Sequence, residues 1–154
     1  MKASLKDFVQ TGAFGFIELG MSRTTVQQHL GSPDDWIASA PNFQTSTSWW
    51  YGDIEFLFRN DELYRILMDD FSVLNVSGGS KVELDAWFIN GSLTCANAEH
   101  LLSENGITYR KQDFPYNDNG VHLVTSAGTV LAFCGEDASH ITLHACSREI
   151  KAKA

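Results

Sequence analysis

Residues 49–69 read WWYGDIEFLFRNDELYRILMD, and apolar and polar side chains alternate along much of this stretch. A period of two is typical of a β-strand with one buried face. Residues 59–61 (Arg-Asn-Asp) favour a turn, so the stretch predicts a β-hairpin with strands over 49–58 and 62–69. The inward face of the first strand is predicted to carry Trp50, Ile54, Phe56 and Phe58.

The other face of this hairpin mixes aromatic rings with charged groups. Rigid rings supply buried area and charges select a partner, so such a face suits protein binding. A third strand is predicted over Lys81–Ile89, and the acidic loop 113–120 adds an aromatic tip. The candidate partner-binding residues are Trp49, Tyr51, Asp53, Glu55, Arg65, Asp69, Trp87 and Tyr116. The alternative is that the loop 34–48 or the other half of the chain covers this face, which would make its aromatics core residues.

Capped helices precede each strand-rich segment. Ser22 is the predicted N-cap of RTTVQQHL, which Gly31 and Pro33 end. Thr94 is the predicted N-cap of CANAEHLLSE, which ends at Asn105 and Gly106. Ser4 is the predicted N-cap of a shorter helix that runs through Gln10 and that Gly12 and Gly15 end. After the Thr94 helix the predicted strands are ITYRK, VHLVT, TVLAF and HITLHAC.

The two parts of the chain show the same order of elements. Positions 54, 56, 58 and 66 correspond to Thr129, Leu131, Phe133 and Ile141 at a constant offset of 75 residues. The chain is therefore predicted to be an α+β protein with two tandem repeats, each a short helical segment packed on an antiparallel sheet. The repeats are assigned to residues 1–76 and 81–150, and a Gly/Ser linker to 77–80. Halves of roughly 70 residues are marginal alone, so they should pack together.

Composition and charge narrow the possible partners. The chain has 154 residues, of which 44% are hydrophobic and 12% aromatic, enough to build a folded core. A formal net charge of −8 argues against nucleic acid and suits a cationic partner. No run reaches the roughly 20 apolar residues of a membrane helix, and the start of the chain lacks the apolar region of a signal peptide. A cytoplasmic protein with no membrane partner is expected.

Histidines and cysteines in the second half form a further candidate group. Alternation along its strands places together His122, Cys134, His140, His144 and Cys146. The spacing contains neither CxxC nor HExxH, so no metal or other cofactor is predicted. The three cysteines are expected to be free thiols. Cys134 and Cys146 lie within strands rather than at an activating helix N-terminus, and no catalytic residues are predicted. The chain is therefore interpreted as a protein that is not an enzyme.

Two sequence runs carry a resemblance to known proteins. They are GMSRTTVQQHLGSPDDW (20–36) and WWYGDIEFLFRNDELYRI (49–66). Their order of capped helix, Leu-Gly-x-Pro, loop and hairpin resembles the unit of the small outer-membrane assembly lipoproteins of the SmpA/OmlA type. Doubled in tandem, it resembles the β-lactamase inhibitor protein. The chain lacks the N-terminal lipidation cysteine of the assembly lipoproteins, and its number of cysteines is odd. The resemblance implies helices behind an antiparallel sheet whose open face binds a protein.

An acidic two-repeat binding scaffold in the cytoplasm also resembles the immunity proteins of bacterial toxin systems. We therefore predict a protein-binding inhibitor, an immunity protein that neutralises a cognate, basic toxin domain by blocking its active site. The open alternatives are a small-ligand or metal-binding module that uses the histidine-rich half, and a structural adaptor.

Overall fold

The computed structural model describes residues 1–71, 75–113, 119–135 and 141–150, which form an α+β fold. The α-helices of these ranges are α1 (Leu5–Thr11), α2 (Arg23–Leu30) and α3 (Cys95–Glu104), and a short 3-10 helix spans Phe43–Thr45. The strands are β1 (Lys2–Ser4), β2 (Asp35–Trp36), β3 (Ser48–Tyr51), β4 (Ile54–Arg59), β5 (Glu62–Met68), β6 (Glu83–Asp85), β7 (Tyr109–Asp113), β8 (Val121–Thr125), β9 (Val130–Cys134) and β10 (Thr142–Glu149).

An eight-stranded antiparallel sheet organises the molecule. Its strand order is β2-β3-β4-β5-β10-β9-β8-β7. Each half of the chain therefore begins at one outer edge and ends at the centre, where Met68 of β5 lies opposite Cys146 of β10. Strands β1 and β6 form a separate parallel pair. The predicted α+β class with an antiparallel sheet is confirmed.

Matching hydrogen bonds join each capped helix to the sheet. The amide of Leu63 donates to the carbonyl of Met21 at 2.8 Å, and the amide of Leu143 donates to the carbonyl of Leu93 at 2.9 Å. Met21 and Leu93 directly precede the N-caps of α2 and α3. Two tandem repeats would have such equivalent bonds. The duplication itself stays a prediction, as do the boundaries of the repeats.

The predicted side-chain caps of α2 and α3 are confirmed, whereas Ser4, which was also expected to cap the first helix, precedes α1 without a side-chain capping bond. The Ser22 hydroxyl accepts a hydrogen bond from the amide of Thr25 at 3.1 Å. The Thr94 hydroxyl accepts one from the amide of Asn97 at 3.2 Å. These bonds satisfy amides that have no partner within the first turn of a helix, so they define where α2 and α3 begin.

The helices and the sheet share one hydrophobic core. It contains Phe8 of α1, Val26 of α2 and Leu102 of α3, together with sheet residues of both halves such as Phe56 and Leu131. All three helices therefore pack against the same face of the sheet.

The structure corrects the predicted strand over 49–58. Gly52 and Asp53 form a two-residue turn, so this stretch is two paired strands, β3 and β4. Trp49 lies opposite Phe56 and Tyr51 opposite Ile54, and directly paired residues share a face. Because the chain reverses at the turn, the alternation of β4 does not continue into β3. The prediction that Trp50 points inward and Trp49 and Tyr51 outward is therefore wrong.

The segment after position 76 also differs from the prediction. The expected third strand over 81–89 is a strand only at Glu83–Asp85, and it pairs with β1 instead of joining the large sheet. Residues 77–80, predicted as a linker, form a turn anchored to the β3–β4 hairpin. The amide of Ser77 donates to the Asp53 carboxylate at 2.7 Å, and the Ser80 hydroxyl donates to Asp34 at 3.2 Å.

Candidate binding face

The face of the large sheet opposite the helices is called the open face here. A single row of directly paired residues crosses all eight strands on this face. In order across the sheet, the row consists of Asp35, Trp50, Glu55, Leu67, Ser147, Val130, Val124 and Arg110. Both ends of the row are charged, and the part between Glu55 and Arg110 consists of three aliphatic residues and Ser147.

A groove with a volume of about 1020 Å³ lies on the second half of the open face, between β5 and β7. Its floor consists of small or aliphatic residues, namely Leu67, Val124, Val130, Ala132, Ala145 and Ser147. Its polar rim includes Arg65, Asp69, Arg110, His122, His144 and Glu149. The small side chains of β9 and β10 leave room above the sheet, and the longer ones of the flanking strands form the walls.

The charged groups of the rim interact only weakly with one another. The Nε of Arg65 lies 3.9 Å from the Oε2 of Glu149, too far for a hydrogen bond. This Nε is shielded from solvent and has no hydrogen-bond partner. Within the described parts of the chain, neither Arg110 nor Asp69 forms an ion pair. The rim therefore retains capacity to bind charged groups from outside.

The two histidines of the groove differ in environment. His122 is half-buried in β8, and burial lowers its pKa because the charged imidazolium loses hydration. His122 is therefore neutral at pH 7. His144 is exposed and lies at a β-bulge between Leu143 and Ala145, where β10 slips against β9.

Because of this bulge, the prediction that Cys146 lies on the same face as the histidines is wrong. The extra residue changes the alternation, so Cys146 lies opposite Leu131 and Met68 on the core side and is fully buried. Burial raises the pKa of its thiol to about 12, which keeps it protonated. Cys134 pairs with Thr142 and is half-buried. His140 lies outside the described residues. In the ranges that are described, no three His, Cys, Asp or Glu side chains are grouped to hold a metal ion.

Two of the candidate partner-binding residues belong to the core. Trp49 and Tyr51 have no exposed surface, so the prediction that they lie on the open face is wrong. The indole Nε1 of Trp49 donates to the carbonyl of Phe43 at 2.6 Å, and the Tyr51 hydroxyl donates to the carbonyl of Gly31 at 2.9 Å. Burial, assisted by the charge of Asp34, raises the pKa of Tyr51 and keeps it a neutral donor.

Glu55, Arg65 and Asp69 do lie on the open face, as predicted. Asp53 instead sits in the β3–β4 turn, where it anchors Ser77. Trp87 follows β6 outside the large sheet, with its ring 3.7 Å from that of Phe88 and 5.7 Å from the Nζ of Lys6. The prediction that Trp87 lies on the open face is therefore wrong. Tyr116 lies outside the described residues.

Sequence reasoning missed Trp50, Arg110 and the small residues of the groove floor. A signal for Trp50 was present, because a Gly-Asp pair between two strand-like runs is typical of a two-residue hairpin turn. Arg110 was assigned to a strand, but its position opposite Val124 depends on a pairing with β8 that the sequence does not specify.

No protein-family model matches this chain, and neither a curated protein nor a solved structure matches it. The resemblance to the assembly lipoproteins and to the β-lactamase inhibitor protein therefore stays a prediction. Among the described residues, no helix is both long enough and apolar enough to cross a membrane.

Proposed function

We propose that this protein is a protein-binding inhibitor of the immunity type, and that the groove of its open face receives a segment of a cognate toxin domain. The observation that carries the proposal is an apolar groove surrounded by charged groups that lack strong internal partners. Protein interfaces have this arrangement of an apolar centre and a polar rim. The inhibition is steric, because binding of this protein covers the active site of the toxin domain.

The size of the groove favours a segment of polypeptide. Four strand spacings separate β5 from β7, which corresponds to about 19 Å across the sheet. An α-helix with its side chains is about 10–12 Å wide, so a helix or a loop fits between the walls. The net charge of −8 would attract a basic domain at long range and accelerate its association.

A small organic ligand is the second candidate, favoured by the same groove. Its volume is close to the upper end of the range for small-molecule sites, about 300–1000 Å³, and several polar groups converge on an apolar floor. A small ligand would remain bound to the purified protein or would compete with a protein partner for the groove.

Parallel capture experiments test the proposal. Wild-type protein and two variants are used as baits in a lysate of the source organism, and the bound proteins are identified by mass spectrometry. Ala132→Trp fills the floor of the groove, whereas Thr24→Trp adds the same ring to the exposed surface of α2. We expect one basic domain to be held by wild type and Thr24→Trp, with at least about tenfold weaker binding to Ala132→Trp.

The captured domain is then assayed for its own activity, which we expect wild-type protein to suppress. Circular dichroism establishes that Ala132→Trp remains folded. Equal binding by all three baits would show that the groove is not the site. If no protein binds and a small molecule copurifies only with the baits that have an unfilled groove, the second candidate replaces the first.

A further inference from the structure

We infer that the open face has a second contact site at Trp50, beside the groove, and that this site takes an arginine side chain of the partner. The guanidinium stacks on the indole of Trp50 and donates hydrogen bonds to the carboxylate of Glu55. This assignment rests on the proposed function, because the arginine belongs to the basic domain that the groove receives. It adds a contact that involves none of the residues lining the groove.

The indole of Trp50 is the first part of this site. Lys6 lies 5.7 Å from the centre of the Trp87 ring, and Arg23 lies 5.7 Å from that of Trp49. Trp50 is partly exposed, and among the described residues neither an aromatic ring nor a cation contacts its ring. A cation within about 6 Å of an indole ring is attracted by its π electrons. Trp50 is therefore available to a cation from outside.

Two carboxylates flank Trp50 on the open face. Asp35 lies directly opposite it on β2, and Glu55 lies directly opposite it on β4. Such pairs have Cβ atoms about 4.5–5.5 Å apart, so the Glu55 carboxylate lies within reach of a group stacked on the indole. Within the described ranges this carboxylate makes no hydrogen bond or ion pair, whereas Asp35 accepts a hydrogen bond from the amide of Trp36. Glu55 can therefore accept hydrogen bonds from the stacked cation.

The charge of the chain around Trp50 has one sign. Residues 30–58 include four acids and contain no lysine, arginine or histidine. Two of these acids, Asp34 and Asp53, already hold hydrogen bonds within the fold. The neighbouring row of the open face contains a cation, Arg65, but the residue opposite it on β10 is an acid. The local field therefore favours a cation, in contrast to the rim of the groove, which carries both signs.

Arginine suits this site better than lysine does. Its guanidinium is planar, so it can stack on an indole while one edge donates two hydrogen bonds to a carboxylate. The lysine ammonium is a compact, strongly hydrated charge that lacks this geometry. Glu55 also lies directly opposite Leu67, a floor residue of the groove. An arginine that directly adjoins the inserted segment would therefore reach Trp50.

Three capped tripeptides test the inference without the natural partner. They have the form acetyl-Ala-X-Ala-amide, in which X is arginine, lysine or citrulline, the uncharged isostere of arginine. Each is titrated into ¹⁵N-labelled protein, and binding is followed by the NMR signal of the Trp50 indole, which is identified by its loss in Trp50→Phe. We expect the arginine peptide to bind about fivefold more tightly than the citrulline peptide and about twofold more tightly than the lysine peptide.

Variants assign the preference to the carboxylate of Glu55. Glu55→Gln should reduce the preference for arginine over citrulline to within about twofold, whereas Asp35→Asn should reduce it less. Glu18→Gln is the matched control, because Glu18 is exposed between α1 and α2, which pack on the other face of the sheet. It removes the same charge from the protein and should leave the preference unchanged.

Several outcomes would overturn the inference. These are equal binding of the arginine and citrulline peptides, an equal loss of preference in Glu55→Gln and Glu18→Gln, or no shift of the Trp50 indole signal with any peptide. The capture experiment separates this failure from failure of the proposed function. If Ala132→Trp releases the captured domain while Glu55→Gln and Trp50→Leu hold it as wild type does, the groove is the site and the arginine inference is wrong. If no domain is captured but the peptides show the expected preference, the arginine site is supported and the proposed function fails.

Discussion

The adjacent residues Trp49 and Trp50 lie on opposite faces of the same strand. The Trp49 ring packs 4.6 Å from the ring of Phe58 and 5.5 Å from that of Phe43, and the Arg23 guanidinium lies 5.7 Å above it. It is fully buried and its indole nitrogen is hydrogen-bonded. Trp50 is partly exposed on the open face. One tryptophan therefore contributes to stability, and the other is available to a partner.

Alanine substitutions at these neighbours should separate the two roles. Trp49→Ala removes a buried ring and leaves a cavity, so it should lower the free energy of unfolding by about 3–5 kcal/mol. Trp50→Ala should lower it by about 1 kcal/mol or less, because water already reaches that ring. Urea denaturation followed by circular dichroism measures both. A loss of similar size in the two variants would contradict the face assignment.

At the scale of elements, the β3–β4 hairpin and the turn at 77–80 fit closely together. Gly52 has a φ of +59°, in the left-handed region that favours glycine. A Cβ atom there would lie 2.3 Å from the amide nitrogen of Gly79 and 2.5 Å from the carbonyl oxygen of Ser77. Both are backbone atoms that cannot rotate away. The hairpin and the turn therefore require a residue without a side chain at this position.

Gly52→Ala should consequently destabilise the fold by more than about 2 kcal/mol, from backbone strain and the collision together. Gly106→Ala is the control, since Gly106 has a similar φ of +66° but open space where the Cβ would lie. It should cost about 1 kcal/mol. Thermal unfolding of the two variants compares them. Equal shifts in melting temperature would mean that the backbone of the 77–80 turn does not exclude a side chain at position 52.

At the scale of the whole molecule, the two halves are joined in more than one way. Strands β5 and β10 pair at the centre of the sheet. Helix α1 of the first half also contacts the second half, because the Thr129 hydroxyl donates to the carbonyl of Phe8 at 2.7 Å. The Arg148 guanidinium donates to the carbonyl of Gly12 at 2.8 Å. Such connections predict that the halves unfold together.

The positions of the tryptophans allow a direct test of this cooperativity. All four, at positions 36, 49, 50 and 87, precede α3, so their fluorescence reports on the first half and the segment after it. Leu131→Ala in β9 removes a fully buried side chain of the second half and should cost about 2–5 kcal/mol. We expect the urea midpoints by fluorescence and by circular dichroism to fall equally. An unchanged fluorescence midpoint would show that the halves unfold independently.

Local sequence patterns were sufficient to predict much of the architecture. Ser22 and Thr94 were recognisable as helix caps because capping depends on a side chain and an amide three residues apart. The turn at 59–61 and the strands on either side of it were also predictable. Asn60 and Asp61 adopt the positive φ values that asparagine and aspartate tolerate best. Strands β7 to β10 were located to within a few residues of their ends, since alternation is a property of neighbouring positions, whereas β1 and β2 were not predicted.

The candidate site was predicted only in part. Glu55 and Arg65 were placed on the correct face because each directly neighbours a buried residue, Phe56 or Ile66, on its own strand. Asp69 was placed correctly because it directly follows β5. Trp49 and Tyr51 were misplaced by an unrecognised two-residue turn, and Cys146 by a bulge. Each irregularity changes which side chains face inward, since alternation has a period of two. Trp87 was misplaced because the partner of β6 is β1, which lies far away in sequence.

By itself, then, the sequence determined the α+β class, the helix starts, the main hairpin and the acidic character of the protein, all of which depend on composition or on residues close together in the chain. The tertiary structure alone decided that β5 pairs with β10, that all the described α-helices lie behind one sheet, and that Arg65 and Arg110 face each other across a groove. These features depend on contacts between residues distant in sequence. Local patterns cannot specify such contacts, because many strand pairings would bury the same apolar faces equally well.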